Sequence, residues 1–253
     1  MRVFLTGASS GLGEAIARHY AGNGATVGLF ARRPEELARL AAALAPATVA
    51  TYPGDVRDAQ ALANAAADFI ARYGAPDVVI ANAGVSRGTL TDEPEDIPAF
   101  RAVFETNVLG MVHTFAPFMA AVRAARSGAL VGIASVAGFR GLPGSGAYSG
   151  SKAAVIAYLE SLRVELRGSG VSVVTICPGF VRTPMTDKNP YPMPFLLAPE
   201  KAASLIAQAI ERRRRFYVLP WQMALLGRVL RCAPRALYDR VLANRKRKPR
   251  QLD

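Results

Sequence analysis

The chain has 253 residues, a net charge of +12 and a hydrophobic fraction of 51%. This length fits one large α/β domain or two small ones, and the composition is ordinary for a globular enzyme. No transmembrane helix is expected, because no run of about 18 uncharged apolar residues is present. The first residues lack the features of a signal peptide. Cys177 and Cys232 have neither metal-ligand nor disulfide spacing, so we expect a cytoplasmic protein without a metal site.

Short apolar runs rich in branched residues alternate with longer helical patterns. The predicted strands lie at 2–5, 26–30, 48–52, 77–81, 128–134, 171–176 and 216–219. This alternation is typical of a parallel sheet covered on both faces. Right-handed crossovers then give an α/β fold with a doubly wound, Rossmann-type sheet of about seven strands. Long helices are predicted at 98–126 and 147–167, which either only cover the sheet or also pair across a dimer interface.

A glycine-rich turn follows the first predicted strand and opens a helix. Its glycines allow a tight turn and let backbone N–H groups approach a pyrophosphate. The helix N-terminus adds partial positive charge where the phosphates would lie. The turn therefore predicts a dinucleotide site. Its expected contact residues are Gly7, Ser9, Ser10, Gly11, Leu12 and Gly13.

Tyr148 and Lys152 are four residues apart, so on a helix both side chains would lie on one face. A phenol titrates near pH ~10 in water, and a nearby positive charge lowers that pKa. The pair is therefore a candidate general acid and base. An isolated pair at this spacing is also common on solvated helix faces, so its meaning depends on the other motifs of the chain.

The glycine spacing G-x-x-x-G-x-G and the Tyr148-x-x-x-Lys152 pair resemble the short-chain dehydrogenase/reductase family. Further family motifs follow in the family's order. They are Asp55-Val56, Asn82-Ala83-Gly84, Asn107, Ser135, Pro178-Gly179 and Thr183. Ala81 departs from the pattern, since the family usually has asparagine there. The resemblance covers about residues 1–215 and implies carbonyl–alcohol interconversion by hydride transfer with a nicotinamide cofactor.

The resemblance also implies the catalytic roles. Tyr148 would exchange a proton with the substrate oxygen, and Lys152 would lower the pKa of Tyr148 and hold the nicotinamide ribose. Ser135 would orient the substrate oxygen, and Asn107 would hold a water that links Lys152 to solvent. The alternative is that Ser135 and Asn107 are only capping or turn residues.

The remaining cofactor contacts rest on the same resemblance. Adenine would lie at Asp55, and the nicotinamide carboxamide would lie at Pro178, Gly179 and Thr183. The full set beyond the glycine-rich turn is Arg32, Arg33, Asp55, Val56, Asn82, Ala83, Gly84, Tyr148, Lys152, Pro178, Gly179, Val181 and Thr183.

The end of the second predicted strand indicates which nicotinamide cofactor is used. An acidic residue there would bind the ribose hydroxyls of NAD(H), but the chain has Arg32 and Arg33. A guanidinium binds a 2′-phosphate through charge-assisted hydrogen bonds. We therefore expect NADP(H) to be preferred, with Arg32 as the main contact and Arg33 as a second. NAD(H) stays open, because either arginine could be a solvated surface residue.

The segment 183–198 is the expected substrate loop, and its four prolines predict a stiff, non-regular chain. Its large apolar side chains either line an apolar pocket or pack on the body. These are Met185, Met193, Phe195, Leu196 and Leu197. A pocket of this kind favours a hydrophobic substrate of a 3-oxoacyl, steroid-like or keto-sphingoid type.

Residues 1–220 are predicted to form one dinucleotide-binding and catalytic domain, and 221–253 an amphipathic, basic extension. Residues 211–253 carry a net charge of +10 and the preceding chain only +2. Trp221, Leu225 and Val229 form a helical stripe with Leu226 and Leu230 alongside. This pattern suits an anionic membrane surface, or packing on the body or on a partner subunit.

Other functions are weighed against these. The near-neutral body and the absence of a recognised motif argue against nucleic-acid binding. A homodimer or homotetramer is expected from the resemblance. A catalytically vestigial, dinucleotide-sensing scaffold with a membrane- or partner-binding tail is the alternative to an enzyme. The intact set of Ser135, Tyr148 and Lys152 argues against it.

Overall fold

The computed structural model describes residues 1–187, 189–243 and 250. Its centre is a sheet with strand order β3-β2-β1-β4-β5-β6-β7, in which all neighbouring strands are parallel. The strands are β1 (Arg2–Thr6), β2 (Thr26–Ala31), β3 (Val49–Pro53), β4 (Val78–Ala81), β5 (Ala129–Ile133), β6 (Ser172–Pro178) and β7 (Phe216–Leu219). The predicted doubly wound sheet is confirmed, and each predicted strand end lies within about two residues of the observed one.

Helices cover both faces of the sheet. They are α1 (Gly11–Gly22), α2 (Pro34–Ala43), α3 (Ala59–Tyr73), α4 (Ile97–Phe104), α5 (Gly110–Phe115), α6 (Met119–Ala124), α7 (Gly146–Glu165), α8 (Pro184–Asp187), α9 (Pro199–Glu211), α10 (Trp221–Cys232) and α11 (Arg235–Leu242). Successive side chains of a strand point to opposite faces. Val3 and Leu5 accordingly join a core with α1, α2 and α9, whereas Phe4 joins a second core with α3, α5 and α7.

The sequence predicts one helix over 98–126, but the structure has three α-helices there, with two irregular segments between them. Between α4 and α5 the chain forms a π-helical segment, Glu105–Leu109, and between α5 and α6 a 3₁₀ turn, Ala116–Phe118. Pro117 lies in that turn and has no N–H with which to continue the α-helical hydrogen bonds. The predicted helix at 147–167 is confirmed as α7.

The C-terminal segment packs on the edge of the sheet that β7 forms. α10 contacts β7 and the 3₁₀ turn Val136–Gly138. The substrate loop, expected to be non-regular, contains the short helix α8. None of the described helices is both long enough and apolar enough to cross a bilayer. Most of the predicted basic end lies outside the described residues, and Arg250 pairs with Asp96 at 2.9 Å and Glu93 at 3.0 Å.

Candidate functional site

A cavity of about 300 Å³ follows the carboxyl ends of the strands, where α/β folds of this type bind their ligands. All of the predicted cofactor contacts line it. They are Gly7, Ser9, Ser10, Gly11, Leu12, Gly13, Arg32, Arg33, Asp55, Val56, Asn82, Ala83, Gly84, Tyr148, Lys152, Pro178, Gly179, Val181 and Thr183. The cavity therefore runs from the arginines after β2 to Tyr148 and Lys152, as an extended dinucleotide would require. That these residues bind a cofactor stays a prediction.

The glycine-rich turn between β1 and α1 forms one wall of this cavity. Gly7 has φ +67°, and a Cβ there would lie 2.7 Å from the Cα of Ala83. The side-chain amide of Asn82 donates to the carbonyl oxygens of Thr6 at 3.1 Å and Gly7 at 3.2 Å. Asn82 thus ties the turn to the end of β4. This leaves the amino end of α1 facing the cavity, where it favours phosphate.

Two arginines lie at the end of the cavity beside β2. Arg33 reaches across the glycine-rich turn, and its guanidinium donates to the Ser9 hydroxyl at 3.1 Å. Arg32 lies beside Asp55, whose carboxylate is held by Arg57 at 2.8 Å. The hydrogen bond from Arg57, helped by the charge of Arg32, lowers the pKa of Asp55. This end of the cavity therefore carries more positive than negative charge.

Tyr148 and Lys152 project from the first turns of α7. The ammonium of Lys152 donates to the Ile133 carbonyl oxygen at 2.8 Å and lies 5.8 Å from the centroid of the Tyr148 ring. Burial lowers the pKa of Lys152 to about 8. Burial is also the largest effect on Tyr148 and raises its pKa, while a hydrogen bond with Ser135 lowers it. Ser135 is therefore one neighbour that favours the phenolate in this structure. That Lys152 also lowers the pKa of Tyr148 stays a prediction.

Asn107 lies in the π-helical segment and is almost fully buried. Its Oδ1 accepts from the Val85 N–H at 2.8 Å. Its Nδ2 donates to the Val85 carbonyl at 3.0 Å and to the Ser151 hydroxyl at 3.0 Å. The side chain thus braces the turn after β4 against α7 and does not line the cavity. The water-holding role of Asn107 stays a prediction.

A second cavity of about 190 Å³ adjoins the first. Ser135 and Tyr148 line both cavities, so they stand at the junction. The walls of the second cavity are mostly apolar and come mainly from three segments of the chain, 135–148, 179–194 and 223–230. Typical members are Val136, Leu142, Phe180, Met185, Leu226 and Leu230. A ligand in the second cavity would therefore meet a ligand in the first beside the hydroxyl groups of Ser135 and Tyr148.

The prediction for the substrate loop was only partly right. Met185 lines the second cavity, but Met193, Phe195, Leu196 and Leu197 do not. Phe195 is half exposed, and Leu197 packs against the main core. In their place the cavity has Phe180, Tyr191 and Pro194 from the same region of the chain.

Sequence reasoning missed that α10 forms a wall of the second cavity. Met223, Leu226, Gly227 and Leu230 all line it. One signal was available, because a glycine inside an amphipathic helix often marks a close packing contact. Gly227 is that residue, and a Cβ there would lie 2.5 Å from the ring of Phe139.

Comparison with known proteins agrees with this geometry. The family described as short chain dehydrogenase matches residues 1–192. An uncharacterized oxidoreductase of Myxococcus xanthus is 40% identical over 237 residues, which is 93% of either chain. An alcohol dehydrogenase from Thermococcus sibiricus, complexed with 5-hydroxy-NADP, is 27% identical with a TM-score of 0.78, covering 86% of this chain and 95% of that one. A short chain dehydrogenase/reductase from Burkholderia phymatum, in complex with NAD, is 26% identical with a TM-score of 0.83, covering 99% and 98%.

Proposed function

This chain belongs to the short-chain dehydrogenase/reductase family of NAD(P)-dependent oxidoreductases, and we propose that it is an NADP(H)-dependent reductase of apolar carbonyl compounds. The observation that carries the proposal is the junction of the two cavities at Ser135 and Tyr148. One cavity has the extended form and glycine-rich wall that suit a dinucleotide. The other has apolar walls that suit a hydrophobic substrate.

The residues at the junction have distinct roles in this proposal. A bound nicotinamide cofactor supplies the hydride in reduction and takes it up in oxidation. Tyr148 would donate its phenolic proton to the carbonyl oxygen of the substrate as that carbonyl is reduced. Ser135 donates a hydrogen bond to the same oxygen and stabilises the charge that develops there. Lys152 holds positive charge next to Tyr148, which favours the phenolate left after proton transfer.

The arginines after β2 support NADP(H) as the preferred cofactor. Arg33 is already oriented across the phosphate-binding turn by its bond to Ser9. Arg32 and Arg33, rather than an acidic residue, directly follow β2, so a 2′-phosphate would meet guanidinium groups there. We expect Arg32 and Arg33 to share this contact.

Cofactor preference is tested with Arg32→Ala and Arg33→Ala. Each should lower kcat/KM for NADPH by about tenfold and leave that for NADH within about twofold, since one charge-assisted hydrogen bond contributes about 1.5–3 kcal/mol. Arg39→Ala, on the exposed side of α2, is the matched control. Equal efficiency of the wild type with NADPH and NADH would refute the preference.

The reaction and its substrate class are tested together by NADPH oxidation against ketones and 3-oxoacyl thioesters of increasing chain length. We expect the rate to rise with chain length. Tyr148→Phe should lower it by about 10³-fold with NADPH binding retained, because general acid catalysis is lost. NADPH binding without turnover of any of these compounds would favour the vestigial, dinucleotide-sensing scaffold.

Two properties of the assembly belong to the same proposal. Exposed apolar side chains on α4 and α7, among them Ile97 and Val164, support pairing of these helices in a homodimer or homotetramer. Exposed apolar and basic side chains on α10 and α11 support peripheral contact of a cytoplasmic protein with an anionic membrane. Light scattering tests the first, and flotation with anionic vesicles tests the second.

A further inference from the structure

An apolar stripe runs along the outer face of α10. Trp221 is 71% exposed, Leu225 57% and Val229 58%, and they are spaced four residues apart. Leu237 and Val241 on α11 are exposed as well. A contiguous apolar surface of this kind on a water-exposed helix indicates that something covers it. We call Trp221, Leu225 and Val229 the outer stripe.

The opposite face of α10 holds the helix firmly on the body. Met223 and Gly227 are buried, and the missing side chain of Gly227 lets the helix approach the Phe139 ring. Arg140 donates to the carbonyl oxygens of Leu230 at 2.9 Å and Ala233 at 3.1 Å, which caps the end of α10. The outer stripe therefore cannot be hidden by rotation of α10 without loss of these contacts.

The second cavity opens beside the outer stripe. Leu226 lines this cavity and is still 37% exposed, and Met185 also lines it and is 38% exposed. Side chains that both line a cavity and remain exposed lie at its mouth. Leu226 directly follows Leu225 of the outer stripe, so the mouth and the stripe adjoin on one helix.

The charged side chains around the outer stripe indicate which kind of surface covers it. Arg228, Arg231, Arg235 and Arg240 are all exposed, and Asp239 is the acidic residue of α10 and α11. A second copy of this surface would bring like charges together, which disfavours self-pairing. An anionic lipid surface accepts both the apolar stripe and the arginines.

We infer that the outer stripe lies in an anionic lipid surface and that the substrate passes directly from that surface into the second cavity, past Leu226. The substrate is then a membrane-dissolved carbonyl compound rather than one dispersed in water. This inference rests on the proposed reductase function and adds the route by which the substrate arrives. It also explains why one helix carries both a cavity wall and an exposed apolar stripe.

The test uses the full-length protein, NADPH and two substrates. One is a short, water-soluble ketone, and the other is a long-chain methyl ketone dissolved in vesicles of phosphatidylcholine and phosphatidylserine. Leu225→Glu/Val229→Glu places two acids in the outer stripe and leaves the cavity wall intact. Ala38→Glu/Ala42→Glu also introduces two acids, at exposed positions four apart on α2, at the other edge of the sheet.

We expect the outer-stripe variant to lose flotation with the anionic vesicles. Its rate on the vesicle-dissolved ketone should fall at least about tenfold, while its rate on the soluble ketone stays within about twofold, because only the lipid contact is lost. The α2 variant should match the wild type in all three measurements. Vesicles of phosphatidylcholine alone should support a lower rate than the anionic ones.

Three results would overturn the inference. The first is a vesicle rate that the outer-stripe substitutions do not change. The second is absence of flotation of the wild type. The third is a change from a larger to a smaller assembly in light scattering with vesicle rate unaffected, which would assign the stripe to a second copy. Failure of the wild type to reduce even the soluble ketone would instead refute the proposed reductase function.

Discussion

The two ends of the site are built in different ways. The first cavity, where we propose that the cofactor binds, is lined mainly by strand ends and the turns that follow them, together with the first turns of α7. The second cavity is assembled from the 3₁₀ turn after β5, the substrate loop and α10, which lie far apart in sequence. Phosphate binding needs particular backbone geometry and so leaves short motifs in the sequence. An apolar wall needs only surfaces that meet, and such surfaces leave little local trace.

The largest expected effect lies where the two ends meet. Ser135→Ala should lower kcat by about 10²–10³-fold, because the donor to the developing oxyanion is lost. Steady-state kinetics and NADPH titration check this, and NADPH affinity should stay near that of the wild type. Ser149→Ala is the control, since Ser149 accepts a backbone N–H bond from Leu142 but lines neither cavity. A small effect of Ser135→Ala would show that Ser135 is only a capping residue.

Lys152 tests the cofactor end through stability. Burial lowers its pKa from 10.5 to about 8. Between these pH values the unfolded chain binds more protons than the folded one, so the free energy of unfolding rises with pH in this window. Below pH 8 Lys152 is charged in both the folded and the unfolded chain, so the full cost of burying its charge lowers the free energy of unfolding. We therefore compare the free energy of unfolding of the cofactor-free wild type with that of Lys152→Met. The difference should shift by about 3 kcal/mol in favour of the wild type between pH 8 and pH 10.5.

Urea unfolding of both proteins at several pH values measures this difference. Lys201→Met, at an exposed position on α9, controls for the loss of one lysine. If the difference in the free energy of unfolding between the wild type and Lys152→Met does not change with pH, Lys152 is solvated in the folded protein.

Gly227 tests the substrate end alone. Gly227→Val places a branched side chain against Phe139 and should push α10 away from the second cavity. We expect kcat/KM for long-chain ketones to fall about tenfold with NADPH affinity unchanged, since overpacking costs about 1–3 kcal/mol. Gly22→Val is the matched control, because a Cβ at Gly22 meets nothing within 4 Å. If Gly227→Val lowered the affinity for NADPH by a similar factor, the two cavities would not be independent of each other.

Arg140 gives the smallest effect. Arg140→Met removes both hydrogen bonds to the end of α10 and the contact with the Tyr238 ring at 4.1 Å. We expect about 1–2 kcal/mol of lost stability in urea unfolding, and a raised KM for the long-chain ketone only. Arg167→Met, on an exposed turn, is the comparison variant. A raised KM for NADPH as well would mean that α10 also supports the cofactor end.

The sequence predicted the features that depend on local geometry. Continuous apolar runs identified the strands, and the glycine spacing identified the turn that Gly7 and Asn82 stabilise. It did not predict the contact surfaces. That Leu226 and Met185 line one cavity depends on how α10 packs after β7, and the glycine at 227 is the one nearby pattern that indicates a close contact. The brace formed by Asn107 depends likewise on a π-helical segment inside an apparently regular helical pattern.

That π-helical segment fixes the rotational phase of the helix before it. An α-helix advances about 100° per residue, so the wider turn at Glu105–Leu109 sets α4 out of phase with α5. Deletion of one residue there would let a regular α-helix form and would turn α4 by about a quarter of a revolution. The apolar face that α4 packs on α7 would then point elsewhere. The chain can therefore vary in length within its loops. A residue cannot be deleted at this point of the helix without breaking the hydrogen bond between the Val85 N–H and Asn107.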